Sequence, residues 1–274
     1  MNNAKVVAVS GSFDDLRSPQ IRFLEEASKF GLVHVLLWPD AVVQSLNGKP
    51  PKFPLEERRY LLENIRYVTR VVVPSGGVEP DALPLHEMGE PAVWAVEEGD
   101  RSEQKRTFAK ANGIMIHVIP MIDLAGFPAV QPPSAPSGRK KVIVTGCFDW
   151  FHSGHVRFFE EVSALGDLYV VVGSDTNVRF LKGEGHPLFP QDERRYVIQS
   201  IRFVTQALIS TGAGWMDAEP EIAWIQPDIY AVNEDGDKPE KREFCQSHGL
   251  EYVVLKRLPK PGLHRRQSTD LRGF

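Results

Sequence analysis

Two histidines three residues apart, His152 and His155, end the stretch Gly146-Cys147-Phe148-Asp149-Trp150-Phe151-His152-Ser153-Gly154-His155, which the apolar run Lys141-Val142-Ile143-Val144-Thr145 enters directly. A buried strand that passes through small residues into a helix is suited to holding a nucleoside triphosphate. Thr145, Gly146 and Cys147 let the backbone come close to a ligand, and the helix start offers free N–H groups and a positive dipole end to phosphate. Three residues apart on a helix start, His152 and His155 share a face and can reach one phosphate group, with Gly154 between them keeping the backbone close.

The sequence G-x-F-D followed by H-x-G-H resembles the signature of the cytidylyltransferase-like nucleotidyltransferases, in which it lies at the α-phosphate of a bound nucleotide. The resemblance implies transfer of CMP or AMP from CTP or ATP to a small phosphorylated alcohol or sugar, with release of pyrophosphate and with Mg2+ on the triphosphate. An attacking phosphate monoester is already anionic at neutral pH, because its second pKa is about 6. Catalysis is then positioning and charge neutralisation rather than base or covalent catalysis.

On this reading His152, His155 and Lys182 are catalytic, and Thr145, Gly146, Cys147, Phe148, Asp149 and Gly154 line the nucleotide. Lys182 is placed in the glycine-rich loop Leu181-Lys182-Gly183-Glu184-Gly185, where the family carries a lysine. Arg194 matches the arginine of the family's E-R segment and implies a phosphate contact. Arg265-Arg266-Gln267-Ser268-Thr269 resembles the closing R-x-x-G-x-S-T segment, so Ser268 and Thr269 join the triphosphate set, although Arg266 stands where the family has glycine. Plainer readings stand beside these: a capping or zinc-binding histidine pair, Asp149 as an orienter of the loop or a helix cap, Phe148 as packing, Cys147 as a small neighbour rather than a nucleophile, Lys182 as a solvated lysine and a solvated basic tail.

These residues must be held by elements, and the chain writes its elements twice. Lys5-Val-Val-Ala-Val-Ser-Gly-Ser-Phe-Asp14 aligns with Lys141-Val-Ile-Val-Thr-Gly-Cys-Phe-Asp149, with Gly11 facing Gly146. Arg22-Phe23-Leu24-Glu25-Glu26 aligns with Arg157-Phe158-Phe159-Glu160-Glu161, and Glu57-Arg58-Arg59-Tyr60 with Glu193-Arg194-Arg195-Tyr196. A duplicated domain is the economical explanation. In the second copy, strands over 142–144, 168–172, 229–232 and 252–255 alternate with helices over about 155–165, 192–203 and 239–248. That alternation predicts an α/β fold: two tandem Rossmann-like domains, each a doubly wound parallel sheet, with ligands beyond the carboxyl ends of the strands.

The expected organisation is a degenerate, non-catalytic domain over 1–127, a proline-rich linker over 128–138 and a catalytic domain over 139–274. Opposite His152, Gly154, His155 and Lys182 the first copy has Arg17, Pro19, Gln20 and Asn47. Arg58 and Arg59 survive there, which leaves residual anion binding open. The tandem layout resembles that of ethanolamine-phosphate cytidylyltransferase and favours CTP. The loop reading of 174–178 resembles sugar-phosphate adenylyltransferases and favours ATP. The first copy is expected to act as an intramolecular dimer partner of the second, with further oligomerisation open.

Composition narrows the function classes. A net charge of −4 provides no general basic field for nucleic acid. Two cysteines make no disulfide framework, and no apolar run reaches the ~18 residues of a membrane span, so a cytoplasmic protein without membrane association is expected. The competing classes are a nucleotide-binding regulatory or scaffold protein, against which the histidines and Lys182 argue, and a nucleic-acid module using the basic C-terminus.

Overall fold

The computed structural model describes residues 5–74, 76–100, 102–129 and 137–271, without the side chains of 269 and 270. The chain divides into two compact units, Met1–Gly126 and Phe127–Phe274. Of the proline-rich segment, residues 130–136 lie outside the described residues. Phe127 and Pro128 belong to the second unit: the Phe127 ring stacks on Tyr196 at 5.2 Å, and the Pro128 carbonyl accepts from Arg195.

The first unit runs β1 (Val6–Gly11), α1 (Ser18–Ser28), β2 (Leu32–Leu37), α2 (Asp40–Asn47), α3 (Leu55–Glu63), β3 (Val68–Val72), β4 (Val93–Glu97), α4 (Glu103–Ala111) and β5 (Met115–Ile119), followed by a 3-10 turn. The second runs β6 (Lys141–Gly146), α5 (Ser153–Ser163), β7 (Asp167–Val172), α6 (Asp175–Lys182), α7 (Gln191–Gln199), β8 (Val204–Ile209), α8 (Glu219–Ile225), β9 (Ile229–Asn233), α9 (Pro239–Ser247) and β10 (Glu251–Leu255), with 3-10 turns at Glu234–Gly236 and Ser268–Leu271.

Both sheets are five-stranded and parallel, in the orders β3-β2-β1-β4-β5 and β10-β9-β6-β7-β8. Counted within each unit these are the same order, so the written repeat is a folded repeat. The central strands are fully buried runs such as Val7-Ala8-Val9 and Val142-Ile143-Val144, as expected of strands covered on both faces. The register shifts fall at Val33/His34 and Leu168/Tyr169, equivalent places in the two copies. Gly31 and Gly166 precede β2 and β7, where a Cβ would stand 2.1 and 2.2 Å from the carbonyl oxygens of Lys5 and Lys140, so neither position admits a side chain.

Strand order reverses direction on either side of β1 in one unit and β6 in the other. The crevices at β1/β4 and β6/β9 are therefore where a parallel sheet of this kind receives a ligand. Two expectations from the sequence change here. Residues 174–178 are not a loop: Ser174 caps α6, its Oγ accepting the Asn177 N–H at 3.3 Å. Lys182 is the last residue of that helix, with Gly183 at φ 87° ending it, rather than a member of the glycine-rich loop that follows.

Candidate active site

The crevice at the carboxyl ends of β6 and β9 holds a cavity of about 300 Å³. Its wall contains nine of the twelve residues singled out from sequence: Thr145, Gly146, Cys147, Phe148, Asp149, Gly154, His155, Lys182 and Ser268. His152 and Arg194 lie behind it, and the Thr269 side chain lies outside the described residues.

The histidine pair is set by how α5 begins. His152 is the N-cap in extended conformation, its Nδ1 accepting the Gly154 N–H at 3.0 Å. His155 reaches back, its Nδ1 accepting the His152 N–H at 3.3 Å. This is a capping box built from two imidazoles. The rings stack, with centroids 4.0 Å apart, and His155 is flanked by Phe151 and Phe148.

Both imidazoles are neutral. Burial, then the Arg257 and Arg266 charges, press the His152 pKa down to about 3. Burial, then His152, Arg257 and Lys182, hold His155 well below the usual histidine range. With Nδ1 accepting a backbone N–H, a neutral ring carries its proton on Nε2. His155 is thus fixed as an N–H donor on the cavity wall. The Nε2 of His152 lies 3.5 Å from Ser268 Oγ, which also sits 3.4 Å from the Trp150 carbonyl. His152 therefore holds Ser268 in place and does not reach the cavity beside His155. Gly154 is explained by the same ring: a Cβ there would stand 2.8 Å from the His152 imidazole, so the glycine makes room for the cap.

Asp149 is not a helix cap. Its Oδ1 accepts the N–H groups of Leu188 and Phe189 at 2.8 and 3.1 Å, tying the loop before α7 to the loop after β6. Arg194 is corrected in the same direction: it is 2% exposed, and its guanidinium donates to the carbonyls of Phe189, Cys147 and Gly173 and to Asp175. Those acceptors occupy it away from the cavity, as part of the frame. Arg58 of the first unit does the same, donating to Phe53, Ser12, Trp38 and Asp40, and Asp14 accepts from Lys52 and Phe53 as Asp149 does from its loop. In both copies these residues thus hold the loops of the frame.

Cys147 lies on the wall with its thiol pushed up by burial, against the pull of Lys182 and Arg194, and is protonated at neutral pH. Phe148 adopts φ 53° and packs edge-on against His155 and Phe159. Lys182 is exposed and has no partner among the described residues.

Sequence reasoning missed Lys241 and Arg257, which complete the cationic wall. Lys241 lies on α9, its Nζ 5.8 Å from the Tyr230 ring, and burial lowers its pKa. Arg257 follows β10, pairs with Asp235 and donates to the Arg266 carbonyl at 3.2 Å. The signal for Lys241 was the match of Lys105-Arg106-Thr107-Phe108 in the first copy to Lys241-Arg242-Glu243-Phe244 in the second. Arg265 and Arg266 border an adjacent groove rather than the cavity. The wall thus carries Lys182, Lys241 and Arg257 against Asp149 and Asp235, with a fixed neutral donor at its centre, an arrangement that stabilises a polyanion.

The family model for cytidylyltransferase-like proteins matches residues 143–255. A protein named FAD synthase from Ferroglobus placidus is 36% identical over 120 residues, covering 43% of this chain and 75% of that protein. An FAD synthase from Aciduliprofundum boonei is 35% identical over 136 residues, with 48% and 84% covered. The Bifunctional protein HldE of Campylobacter concisus is 46% identical over 100 residues, covering 36% of this chain but 21% of that protein. The chain belongs to the cytidylyltransferase-like family. It is accordingly a nucleotide-binding transferase of the nucleotidyltransferase class. Among the described residues no helix is long and apolar enough to cross a membrane.

Proposed function

We propose that the second unit transfers a nucleotidyl group, adenylyl in preference to cytidylyl, from a nucleoside triphosphate to a small phosphorylated acceptor. The carrying observation is that His155 Nε2–H and the Lys182 ammonium share one cavity wall at the β6/β9 crevice. An oxygen of the acceptor phosphate attacks the α-phosphorus, the bond to the bridging αβ oxygen breaks, and pyrophosphate leaves with that electron pair. His155 donates to the α-phosphate as negative charge builds, and Lys182 and Arg257 neutralise the leaving phosphates. His152 acts through Ser268 and the helix start, as a positioning residue.

The preference for ATP follows from two relatives being named FAD synthase, a product whose added half is adenylyl. Among the described residues no group of three His, Cys, Asp or Glu side chains could hold a metal. In this proposal the magnesium travels with the triphosphate. The first unit has Arg17, Pro19, Gln20 and Asn47 where the second has His152, Gly154, His155 and Lys182, and is assigned no turnover.

The test is pyrophosphate release by the whole chain with Mg2+ and ATP or CTP, across an acceptor panel of flavin mononucleotide, sugar phosphates, glycerol 3-phosphate and phosphoethanolamine. Acceptor-dependent release with ATP, abolished in His155→Ala, is the expected result. Release with no acceptor of the panel, or release unchanged in His155→Ala, would overturn the reading.

A further inference from the structure

The first unit keeps a cavity at the equivalent crevice, between the carboxyl ends of β1 and β4, and at about 540 Å³ it is larger than the one in the second unit. Its chemistry is different. Asp14, Asp15, Glu97 and Asp100 line it; Lys105 pairs with Asp100, and Asp15 pairs with Arg17 and Lys52, which leaves the carboxylates in excess. A phosphate chain entering here meets carboxylates where the other unit offers cations.

Three wall residues carry buried polar atoms with no hydrogen-bond partner among the described residues: Ser10 Oγ, Trp38 Nε1 and Trp94 Nε1. Trp94 is completely buried. The second unit shows how such groups are otherwise satisfied. Ser10 aligns with Thr145, and Trp94 pairs with Ala8 as Tyr230 pairs with Ile143. There Thr145 Oγ1 and Tyr230 OH lie 2.7 Å apart and satisfy one another. Changing that pair to serine and tryptophan leaves both groups unmet. Trp38 follows β2 as Gly173 follows β7, so an indole stands where the other copy has no side chain.

Buried donors left unmet are disfavoured, and a ligand relieves that cost by supplying acceptors. An indole N–H can only donate, and an ionised carboxylate can only accept. The hydroxyl group serves both, and a ring bearing several hydroxyls also offers a face to an indole. The volume lies within the range of small-molecule sites, about 300–1,000 Å³. From these observations we infer that the first unit is a binding site for an uncharged ring bearing vicinal hydroxyls, the chemistry shared by a nucleoside and a free sugar. The site discriminates against phosphate. Glu97, exposed and without a partner among the described residues, accepts from the ligand hydroxyls at the rim.

The experiment is calorimetric titration of the whole chain with adenosine, cytidine and D-ribose, and with ATP in magnesium as the charged comparison. It uses wild type, Glu97→Gln, the double variant Ser10→Ala/Trp94→Phe, and His155→Ala. At least one neutral probe binds wild type and His155→Ala alike, and binds about tenfold more weakly to Glu97→Gln, the effect of a hydrogen bond to a charged group. The double variant weakens it again, and Glu97→Gln keeps the reading sound if the buried changes impair folding. Binding of nucleosides without ribose identifies the nucleoside form, and binding of ribose itself the sugar form. Binding of none of the three, binding indifferent to Glu97→Gln, or an ATP site that persists in His155→Ala and weakens in Glu97→Gln would each overturn the inference.

Discussion

Mild acid should loosen the second unit through its two neutral histidines. An unfolded histidine takes up a proton near pH 6.5, whereas His152 in the folded chain resists protonation down to about 3. A depressed folded pKa gives stability that is complete above the unfolded value and is lost as pH falls from 6.5 toward 3. Each pH unit in that window costs about 1.4 kcal/mol for one such group, so at pH 5 His152 alone removes about 2 kcal/mol. His155, shifted in the same direction, adds to the loss. Against a typical total of about 5–15 kcal/mol this is a substantial fraction. Because the chain has two units, the readout must report on one of them. Hydrogen exchange of β6 and α5 in graded urea at pH 7, 6 and 5 does so. The control is His152→Asn/His155→Gln, which keeps a polar cap and reproduces the Gln20 contact of the first unit, where Gln20 Oε1 accepts the Arg17 N–H at 3.1 Å. Wild type should lose at least about 2 kcal/mol between pH 7 and pH 5, and the control much less. Equal losses in the two proteins would refute the assignment of neutral, buried imidazoles.

Gly154→Ala places a methyl 2.8 Å from the His152 ring; turnover should fall about 100-fold through misplacement of the helix start, with circular dichroism little changed. Lys182→Ala should leave stability within about 0.5 kcal/mol, since the side chain is exposed, while lowering pyrophosphate release about 100-fold. Arg194→Lys strands buried acceptors and should cost the second unit about 3 kcal/mol in denaturant unfolding; Arg58→Lys should cost the first unit as much and leave turnover unchanged.

Much of the fold is legible in the chain itself. Doubly covered parallel strands demand continuous apolar runs, and these stand out at Val7-Ala8-Val9 and Val142-Ile143-Val144. β8 is less visible because Thr205 and Gln206 interrupt its apolar pattern, and Gln206 is nevertheless buried. The α6 helix hid behind its polar first turn, although Ser174-Asp175 is a capping signal of the ordinary kind. At the site, the sequence carried residue types and spacing but not direction. Nothing in H-x-G-H says that one imidazole is turned back onto Ser268 while the other faces the cavity, because that depends on the N-cap dihedrals. Nor does the matched arginine segment reveal that Arg194 is surrounded by carbonyls. Lys241 and Arg257 reach the cavity only because β9 lies beside β6 in the sheet and β10 beside β9, an adjacency that chain order conceals.

The frame made by Asp149 and Arg194, repeated by Asp14 and Arg58, bears on how duplicated chains of this type are sorted into working and silent halves. Those four side chains bind the backbone of the loops, so they serve loop closure whether or not any reaction takes place. Scoring a half by its aspartate and arginine would therefore classify both as competent. The positions that tell the copies apart are the histidine at 155, the glycine at 154 and the helix-terminal lysine at 182, which face Gln20, Pro19 and Asn47 in the first copy.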